Sequence, residues 1–292
     1  MLQYVQFYPT LRCDLSCSFC FNKLMGPMED FPEEAIPGLI RVLSDNGIKE
    51  IDIIGGEPTL YRGLPELVER ASSAGISLWL SSNGRDMALL KTLVKKGVKV
   101  GISINSSNQL NVLKDDLMGR DFIIKALYGH ERDFYRSLQR LSRELYILYP
   151  DVMTPEQMGF SVPFYEFYRD YRENYRPSGI KAVFCEGFLP GGGFSGRCPA
   201  GQKKVTLMPD GSIYPCYLLA HRREFCLGDI FKEPLERMLS SEVLQFFRQF
   251  TENTCPKKDC PLHDRCLGGC PAHALVHYGD IGLSEPRCMG YS

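Results

Sequence analysis

Three cysteines, Cys13, Cys17 and Cys20, stand at C-x3-C-x2-C spacing just after a short apolar run, Tyr4-Val5-Gln6-Phe7-Tyr8. Thiolates this close suit a [4Fe–4S] cluster, in which each iron takes one protein ligand. Three ligands leave one iron open, and an open iron is where a substrate or cofactor can bind and react. The competing chemistry is structural zinc, which close thiolate pairs also hold. Zinc knuckles complete themselves with a second close pair. Here no further Cys or His follows nearby, and the first histidine is His130. The cluster is the favoured reading.

Eight of the twelve cysteines lie in the last third of the chain or at its edge: Cys198, Cys216, Cys226, Cys255, Cys260, Cys266, Cys270 and Cys288. Between Cys198 and Cys216, the apolar run 205–208 and the segment 212–216 flank Pro209-Asp210-Gly211. That triplet is a turn former, so a hairpin is expected to bring Cys198 and Cys216 towards one another. Zinc is again the structural alternative for the downstream run, with His263, His273 or His277 as extra ligands.

The elements that must position these thiols alternate between strand-like and helix-like. Strands are expected at 3–8, 50–54, 77–81, 99–104, 159–162 and 180–185, each short and apolar. Helices are expected at 32–45, with Ile36, Leu39, Ile40 and Leu43 on one face, and at 64–74, 87–96, roughly 120–149 and 165–175. Gly75 and Gly97 follow two of them, as helix C-terminal glycines should. This alternation reads as an α/β fold, a parallel sheet with helices outside, and six strands suggest an incomplete barrel. Barrel chemistry sits at the C-terminal strand ends, where the cysteine loop, Gly55-Gly56-Glu57-Pro58, Ser82-Asn83-Gly84 and Ser103-Ile104-Asn105 fall. The two glycines of the second segment let backbone approach a ligand closely, and Glu57 can accept hydrogen bonds from an ammonium group. The polar pairs after the third and fourth strands serve equally well as ordinary loop residues. The aromatic run 164–175, with Tyr165, Phe167, Tyr168 and Tyr171, reads as a helix core face before a pocket lining. A Gly-rich stretch at 187–197 marks a domain boundary, giving units 1–190 and 191–292.

Composition excludes several classes. The 34 basic and 35 acidic side chains nearly cancel, so there is no whole-chain bias towards nucleic acid or membrane. No apolar stretch reaches the about 18 residues of a membrane span, and no signal peptide precedes Cys13. A cytoplasmic location is expected, where twelve cysteines point to metal or clusters rather than disulfides.

The segment Arg12-Cys13-Asp14-Leu15-Ser16-Cys17-Ser18-Phe19-Cys20-Phe21-Asn22 resembles the signature loop of the radical S-adenosylmethionine (radical SAM) enzymes, with Phe19 as its aromatic residue. The Gly55-Gly56-Glu57-Pro58 stretch resembles their second motif. The resemblance implies a partial (β/α)6 barrel. It also implies a cluster on Cys13, Cys17 and Cys20 whose open iron is chelated by the amine and carboxylate of S-adenosylmethionine. Phe19 and Gly55, Gly56, Glu57 and Pro58 would contact that cofactor, Ser103 and Asn105 its ribose, with Ser82 and Asn83 nearby. The family often has Ser-x-Asp at the ribose position, and the uncharged Asn105 departs from it.

Downstream, Cys255-x4-Cys260-x5-Cys266-x3-Cys270-x17-Cys288 resembles the seven-cysteine SPASM domain, although the family's first gap is usually two residues. The resemblance implies two auxiliary [4Fe–4S] clusters, one on Cys198, Cys216 and Cys270, the other on Cys255, Cys260, Cys266 and Cys288. Cys226 and Cys185 are left over. Cys226, in the same domain, is preferred as the missing fourth ligand, while Cys185 or an open position are the alternatives. Either leftover could also be a buried small hydrophobe.

The chemistry implied is reductive cleavage of S-adenosylmethionine to a 5′-deoxyadenosyl radical, which abstracts hydrogen from substrate. The auxiliary clusters would take up an electron or anchor the substrate. Relatives of this architecture often crosslink or oxidise ribosomally made peptides or proteins, so a peptide or protein substrate is expected. An electron donor such as flavodoxin or ferredoxin is implied. The start of the chain leaves no room for a leader-peptide-binding domain, so a separate partner is expected for that task. Sulfatase-maturing relatives carry an Asp base after the second SPASM cysteine; Tyr217 stands there instead. The alternatives are oxidation or rearrangement of a small metabolite, and, outside enzymes, an electron carrier. Nucleic-acid modification lacks the basic stripe it would need.

Overall fold

The structure is a computed structural model that describes every residue except Met1, Gln3, Gly192, Gly193, Ser195 and 290–292. Seven parallel strands run in sequence order: β1 (Tyr4–Phe7), β2 (Glu50–Ile53), β3 (Ser77–Ser82), β4 (Lys99–Ser103), β5 (Ile123–Leu127), β6 (Glu144–Leu148) and β7 (Lys181–Val183). Helices α1 (Ile36–Asp45), α2 (Leu64–Ser73), α3 (Met87–Lys95), α4 (Ser107–Leu117), α5 (Arg132–Gln139) and α6 (Phe164–Asp170) follow the first six strands in turn. This is the (β/α)6 alternation of an open barrel.

The local signals are visible in the chain. In α1, Ile36, Leu39, Ile40 and Leu43 are buried on one face. The Asp86 and Ser106 side chains cap α3 and α4 by accepting from the Leu89 and Gln109 amides. Each of α1, α2 and α3 is followed by a glycine in the left-handed region, Gly47, Gly75 and Gly97, which turns the chain directly into the next strand.

Two expectations need correction. The region 120–149 is not one helix; it holds β5, α5 and β6. Its strands alternate apolar and polar residues, Ile124-Lys125-Ala126 and Leu145-Tyr146-Ile147, because one face meets the helices and the other the barrel interior. The segment 159–162 is not a strand. Thr154 and Gln157 form a capping box around Pro155, which starts the 3-10 turn Pro155–Phe160. The fifth and sixth strand places belong to β5 and β6, and the strand expected at 180–185 is β7. The aromatic run forms α6 and a π-helical turn, Tyr171–Tyr175, with Phe164 and Phe167 buried against Tyr149 and Phe188.

The outward faces, Val5, Phe7, Ile51, Ile53, Leu80, Ile102, Ile124 and Ile147 among them, belong to one continuous core. The inward face is polar. Lys125 on β5 reaches across β4 to donate to Ser81 Oγ on β3, at 2.6 Å. It can do so because β4 carries Gly101 at the crossing, where a Cβ would lie 2.5 Å from Lys125 Cε. Burial lowers the Lys125 pKa and Asp52 on β2 opposes that pull.

The C-terminal part does not stand apart. Strand β8 (Lys204–Leu207) pairs in parallel with β1 on the side opposite β2, and β9 (Ser212–Tyr214) and β10 (Gly228–Asp229) continue antiparallel. The hairpin read at Pro209-Asp210-Gly211 is β8–β9. Short helices α7 (Leu235–Leu239) and α8 (Gln245–Gln249) lead to α9 (Pro271–Tyr278) and α10 (Pro286–Met289). Of the Gly-rich boundary, Gly192, Gly193 and Ser195 lie outside the described residues. Among the described residues no helix is long and apolar enough to cross a membrane.

A fragment comprising 1–190 removes β8 and bares one edge of β1, which is buried at Val5 and Phe7. An exposed apolar edge templates association. The fragment should therefore be insoluble or oligomeric by analytical ultracentrifugation while the full chain is not; a stable monomeric fragment would show that β8 is dispensable.

Candidate active site

The loop after β1 is held before it reaches its thiols. Thr10 Oγ1 donates to Asp30 Oδ1 at 2.6 Å, and Arg12 donates to both Asp30 and the Leu60 carbonyl. The segment after β2 is then laid alongside it: the Gly56 amide donates to Thr10 O at 3.0 Å and the Glu57 amide to Arg12 O at 2.7 Å. Both glycines are needed for this contact. A Cβ on Gly55, whose φ is 134°, would stand 2.4 Å from Thr10 O, and one on Gly56 would stand 2.1 Å from Arg12 O. The glycines thus bring the chain against itself.

Glu57 is likewise committed within the protein. It is buried, and its carboxylate accepts from Thr59 N, Thr59 Oγ1 and Ser82 Oγ on one oxygen and from Asn83 N at 2.7 Å on the other. It joins the β2 and β3 loops as a pin. Pro58 is buried behind it at the start of a 3-10 turn. Asn83 Nδ2 donates to Asp14 Oδ1, and Arg85 pairs with Asp14 at 3.2 Å, tying the β3 loop to the cysteine loop. Asn22 Nδ2 returns to Gly55 O at 2.6 Å. At the end of β4, Asn105 Oδ1 accepts from Leu127 N and so stitches β4 to β5, beside the half-buried Ser103.

Gln157 was not visible as a site residue. It is buried, accepts from Met153 N, and donates from Nε2 to Ser18 O and Cys20 O at 3.0 and 2.9 Å. The capping-box spelling from Thr154 to Gln157 marks a helix start but not this reach across the barrel mouth. Cys13, Cys17 and Cys20 are electrostatic neighbours, with Cys13 exposed and Cys17, Cys20 and Phe19 half-buried. Burial pushes the Cys13 and Cys17 thiols up. Three thiols on one anchored loop, open to solvent on one side, fit a cluster with a free coordination position.

The second cysteine set divides into two neighbourhoods. Cys198 lies near Cys185 and Cys216, and Cys185 lies near Cys270. Cys266 lies near Cys255 and Cys288. Cys226, preferred on sequence as the fourth member of the first group, is elsewhere: its thiol meets Gly228 O at 3.6 Å and packs with the Tyr8, Met208 and Tyr214 cluster. Cys185, just after β7, lies instead near Cys198 and Cys216. Burial raises Cys266 to about 11 and Cys288 to about 12.

Of the candidate zinc-ligating histidines, His273 and His277 are held by structural contacts, whereas His263 Nδ1 is buried without a hydrogen-bond partner among the described residues. Cys270, His273 and Glu285 offer ligand atoms within 4.8 Å of one another, but Glu285 is paired with Arg287 at 2.7 Å and both are buried. His273 Nδ1 lies 2.7 Å from Arg287 Nη2, while Nε2 meets Val152 N and Asp151 Oδ1, each at 3.3 Å. Asp151 in turn accepts from Tyr217 OH, whose ring packs edge-on against Phe21 at 5.0 Å. His277 Nε2 is 2.9 Å from Val152 O. This chain of buried groups fixes the C-terminal cysteines to the β6 loop and places Tyr217 between the two cysteine regions.

Residues 7–141 match the family model described as the Radical SAM superfamily, and residues 198–271 match that described as SPASM, an iron-sulfur cluster-binding domain. The chain is 24% identical to the antilisterial bacteriocin subtilosin biosynthesis protein AlbA of Bacillus subtilis, over 91% of this chain and 66% of that protein. It is 30% identical to the GTP 3′,8-cyclase of Helicobacter pylori (strain J99), over 45% of this chain and 43% of the cyclase. The chain therefore spans less than two thirds of AlbA and under half of the cyclase. In fold it is similar to Streptococcus suis SuiB bound to S-adenosylmethionine, with a TM-score of 0.76, 19% identity, and coverage of 99% of this chain and 77% of SuiB. It is also similar to anSMEcpe with bound AdoMet, with a TM-score of 0.68, 16% identity, and coverage of 99% and 90%.

Two outcomes follow from the geometry. Gly56→Ala should separate the cysteine loop from the β2 loop and lower the iron retained after anaerobic reconstitution by about a third, one four-iron cluster of three; unchanged iron would show that the loops tolerate the Cβ. Glu285→Gln leaves Arg287 buried without its counter-charge and should cost about 3–5 kcal/mol in denaturant unfolding of the full chain before cluster loading. Burial alone would raise the Glu285 carboxyl, but Arg287 and His273 hold it well below the usual carboxylate range. A depressed carboxylate stabilises above its unfolded pKa, and that contribution fades as pH falls towards the folded value. The difference between wild type and Glu285→Gln should accordingly narrow below about pH 4.

Proposed function

Starting from a chain that carries a radical SAM domain followed by a SPASM domain, we propose that it is an enzyme that modifies a peptide or protein substrate by radical chemistry. The observation that carries this reading is the joining of both cysteine regions to one short strand. β1 runs into the three-thiol loop, and its neighbour β8 runs into the β9 hairpin and Cys216. AlbA, similar across 91% of this chain, acts in subtilosin biosynthesis, and SuiB is known bound to its precursor peptide SuiA.

In this reading Cys13, Cys17 and Cys20 hold the S-adenosylmethionine-binding [4Fe–4S] cluster, and the C-terminal thiols hold two auxiliary clusters. The bound cofactors supply a 5′-deoxyadenosyl radical that takes a hydrogen atom from the substrate. The protein's own residues fix the geometry. Glu57 and the glycine pair lock the β2 loop to the cysteine loop, Gln157 locks the β6 loop to it, and Ser103 and Asn105 close the mouth at β4. The polar inward face, with Asp52, Ser81 and Lys125, gives a substrate hydrogen-bonding partners within the barrel. Tyr217, next to Cys216, packs edge-on against Phe21, next to Cys20. The partners this reading calls for are an electron donor of the flavodoxin or ferredoxin type and a separate protein that binds a leader peptide, with the enzyme working in the cytoplasm. A small-metabolite substrate is the second reading, and the nucleotide cyclase relatives favour it over under half of the chain.

The test is anaerobic reconstitution followed by incubation with S-adenosylmethionine and dithionite. The expected result is about 12 irons per chain with little zinc, formation of 5′-deoxyadenosine, and loss of that product in Cys17→Ala. About 4 irons with zinc would make the C-terminal region a structural clamp and move the metabolite reading ahead. A full iron content without cofactor cleavage would leave an electron carrier.

A further inference from the structure

We propose that Cys185, which lies outside the seven-cysteine pattern, is the fourth protein ligand of the centre formed with Cys198, Cys216 and Cys270, and that this centre is thereby closed to substrate. The inference rests on the auxiliary-cluster reading above.

Several contacts converge on it. The chain leaving β7 turns tightly at Cys185, where the Phe188 amide donates to Cys185 O at 3.1 Å and the Gly187 amide approaches the thiol at 3.4 Å. Gly187 lies flat on the segment that carries Cys270: a Cβ there would meet Gly269 O at 2.6 Å. Phe188, fully buried, anchors the turn against Phe164 at 4.0 Å. The segment before Cys198 is clamped to the same place, since the buried Arg197 donates to Gly269 O at 3.1 Å, to Gly268 O at 2.6 Å and to Leu283 O at 2.6 Å. Backbone contacts thus bring the residues flanking Cys185, Cys198 and Cys270 together, and β8–β9 delivers Cys216.

The side chains agree. Cys270, Cys198 and Cys216 all lie near Cys185. Two cations border the group: Lys204 beside Cys185, Cys198 and Cys216, and Arg197 beside Cys198 and Cys270. A four-iron core on four thiolates is an anion, and buried anions need counter-charge. With four thiolates every iron has a protein ligand, so no iron of this centre can take a substrate atom. The open iron is left to the N-terminal loop.

The test uses the reconstituted full chain with saturating S-adenosylmethionine, so that the N-terminal iron is occupied, and imidazole as a small competing ligand. Iron content and the electron paramagnetic resonance of the dithionite-reduced protein are read. Wild type and Cys226→Ala should hold about 12 irons and show no response to imidazole. Cys185→Ala should either lose about a third of its iron or show a spectrum that changes with imidazole. Cys185→Ser, nearly isosteric, should keep the fold and shift the reduction potential of one cluster alone. The inference is overturned if wild type already responds to imidazole, if Cys226→Ala shows the loss instead, or if Cys185→Ser and Cys185→Ala both match wild type. In those cases the iron content of wild type still upholds the auxiliary clusters. Zinc in place of iron at the C-terminal thiols would overturn the reading itself, and the inference with it.

Discussion

Everything in this molecule hangs on a four-residue strand that is hydrogen-bonded on both sides. β1, Tyr4–Phe7, pairs with β2 on one edge and β8 on the other, both in parallel and in matched register. Parallel pairing puts the three C-terminal ends at one level. The cysteine loop, the glycine pair and the β8–β9 hairpin therefore emerge side by side without any long connection. The strand is short because nothing more is asked of it: Val5 and Phe7 face the helices and Gln6 faces the interior.

From that level upwards, order comes from polar groups that find partners across loops. Glu57, Gln157 and Asn105 are each distant in sequence from the atoms they bind, and each ties two strand ends together. The C-terminal region repeats the device with charge. Arg197 gathers carbonyls from Gly268, Gly269 and Leu283, and Arg287 neutralises Glu285 while reaching Pro150 O. Such groups are costly to bury unless they are satisfied, so they define one arrangement of the loops and penalise the rest. Thiol clusters need that definition, because a ligand set displaced by an ångström no longer fits its metal.

How much of this could be read in the chain depends on whether the signal is local. The C-x3-C-x2-C spacing, the glycine pair and the Pro-Asp-Gly turn are local, and the first strands and helices were legible with them. β5 and β6 were missed because Lys125 and Tyr146 interrupt their apolar runs, and the interruption is itself the mark of a polar barrel interior. The 3-10 turn at Pro155–Phe160 was mistaken for a strand although its capping box was spelled out. The roles of Gln157 and Asp151 were not legible at all, and Cys185 was legible only as an alternative to Cys226. Each depends on a partner more than eighty residues away or on a backbone contact between glycines that no spacing rule expresses.

Gln157 gives the molecule a mechanical property. Its one amide holds Met153 N at one end and the carbonyls of Ser18 and Cys20 at the other. The loop beyond β6 and the thiol-bearing loop beyond β1 are therefore yoked, although most of the barrel's circumference separates them in chain order. A molecule that enters the mouth and leans on residues 153–157 tugs the backbone on which two of the three N-terminal thiols are mounted. Displacement of either loop is then opposed by the other through a single side chain.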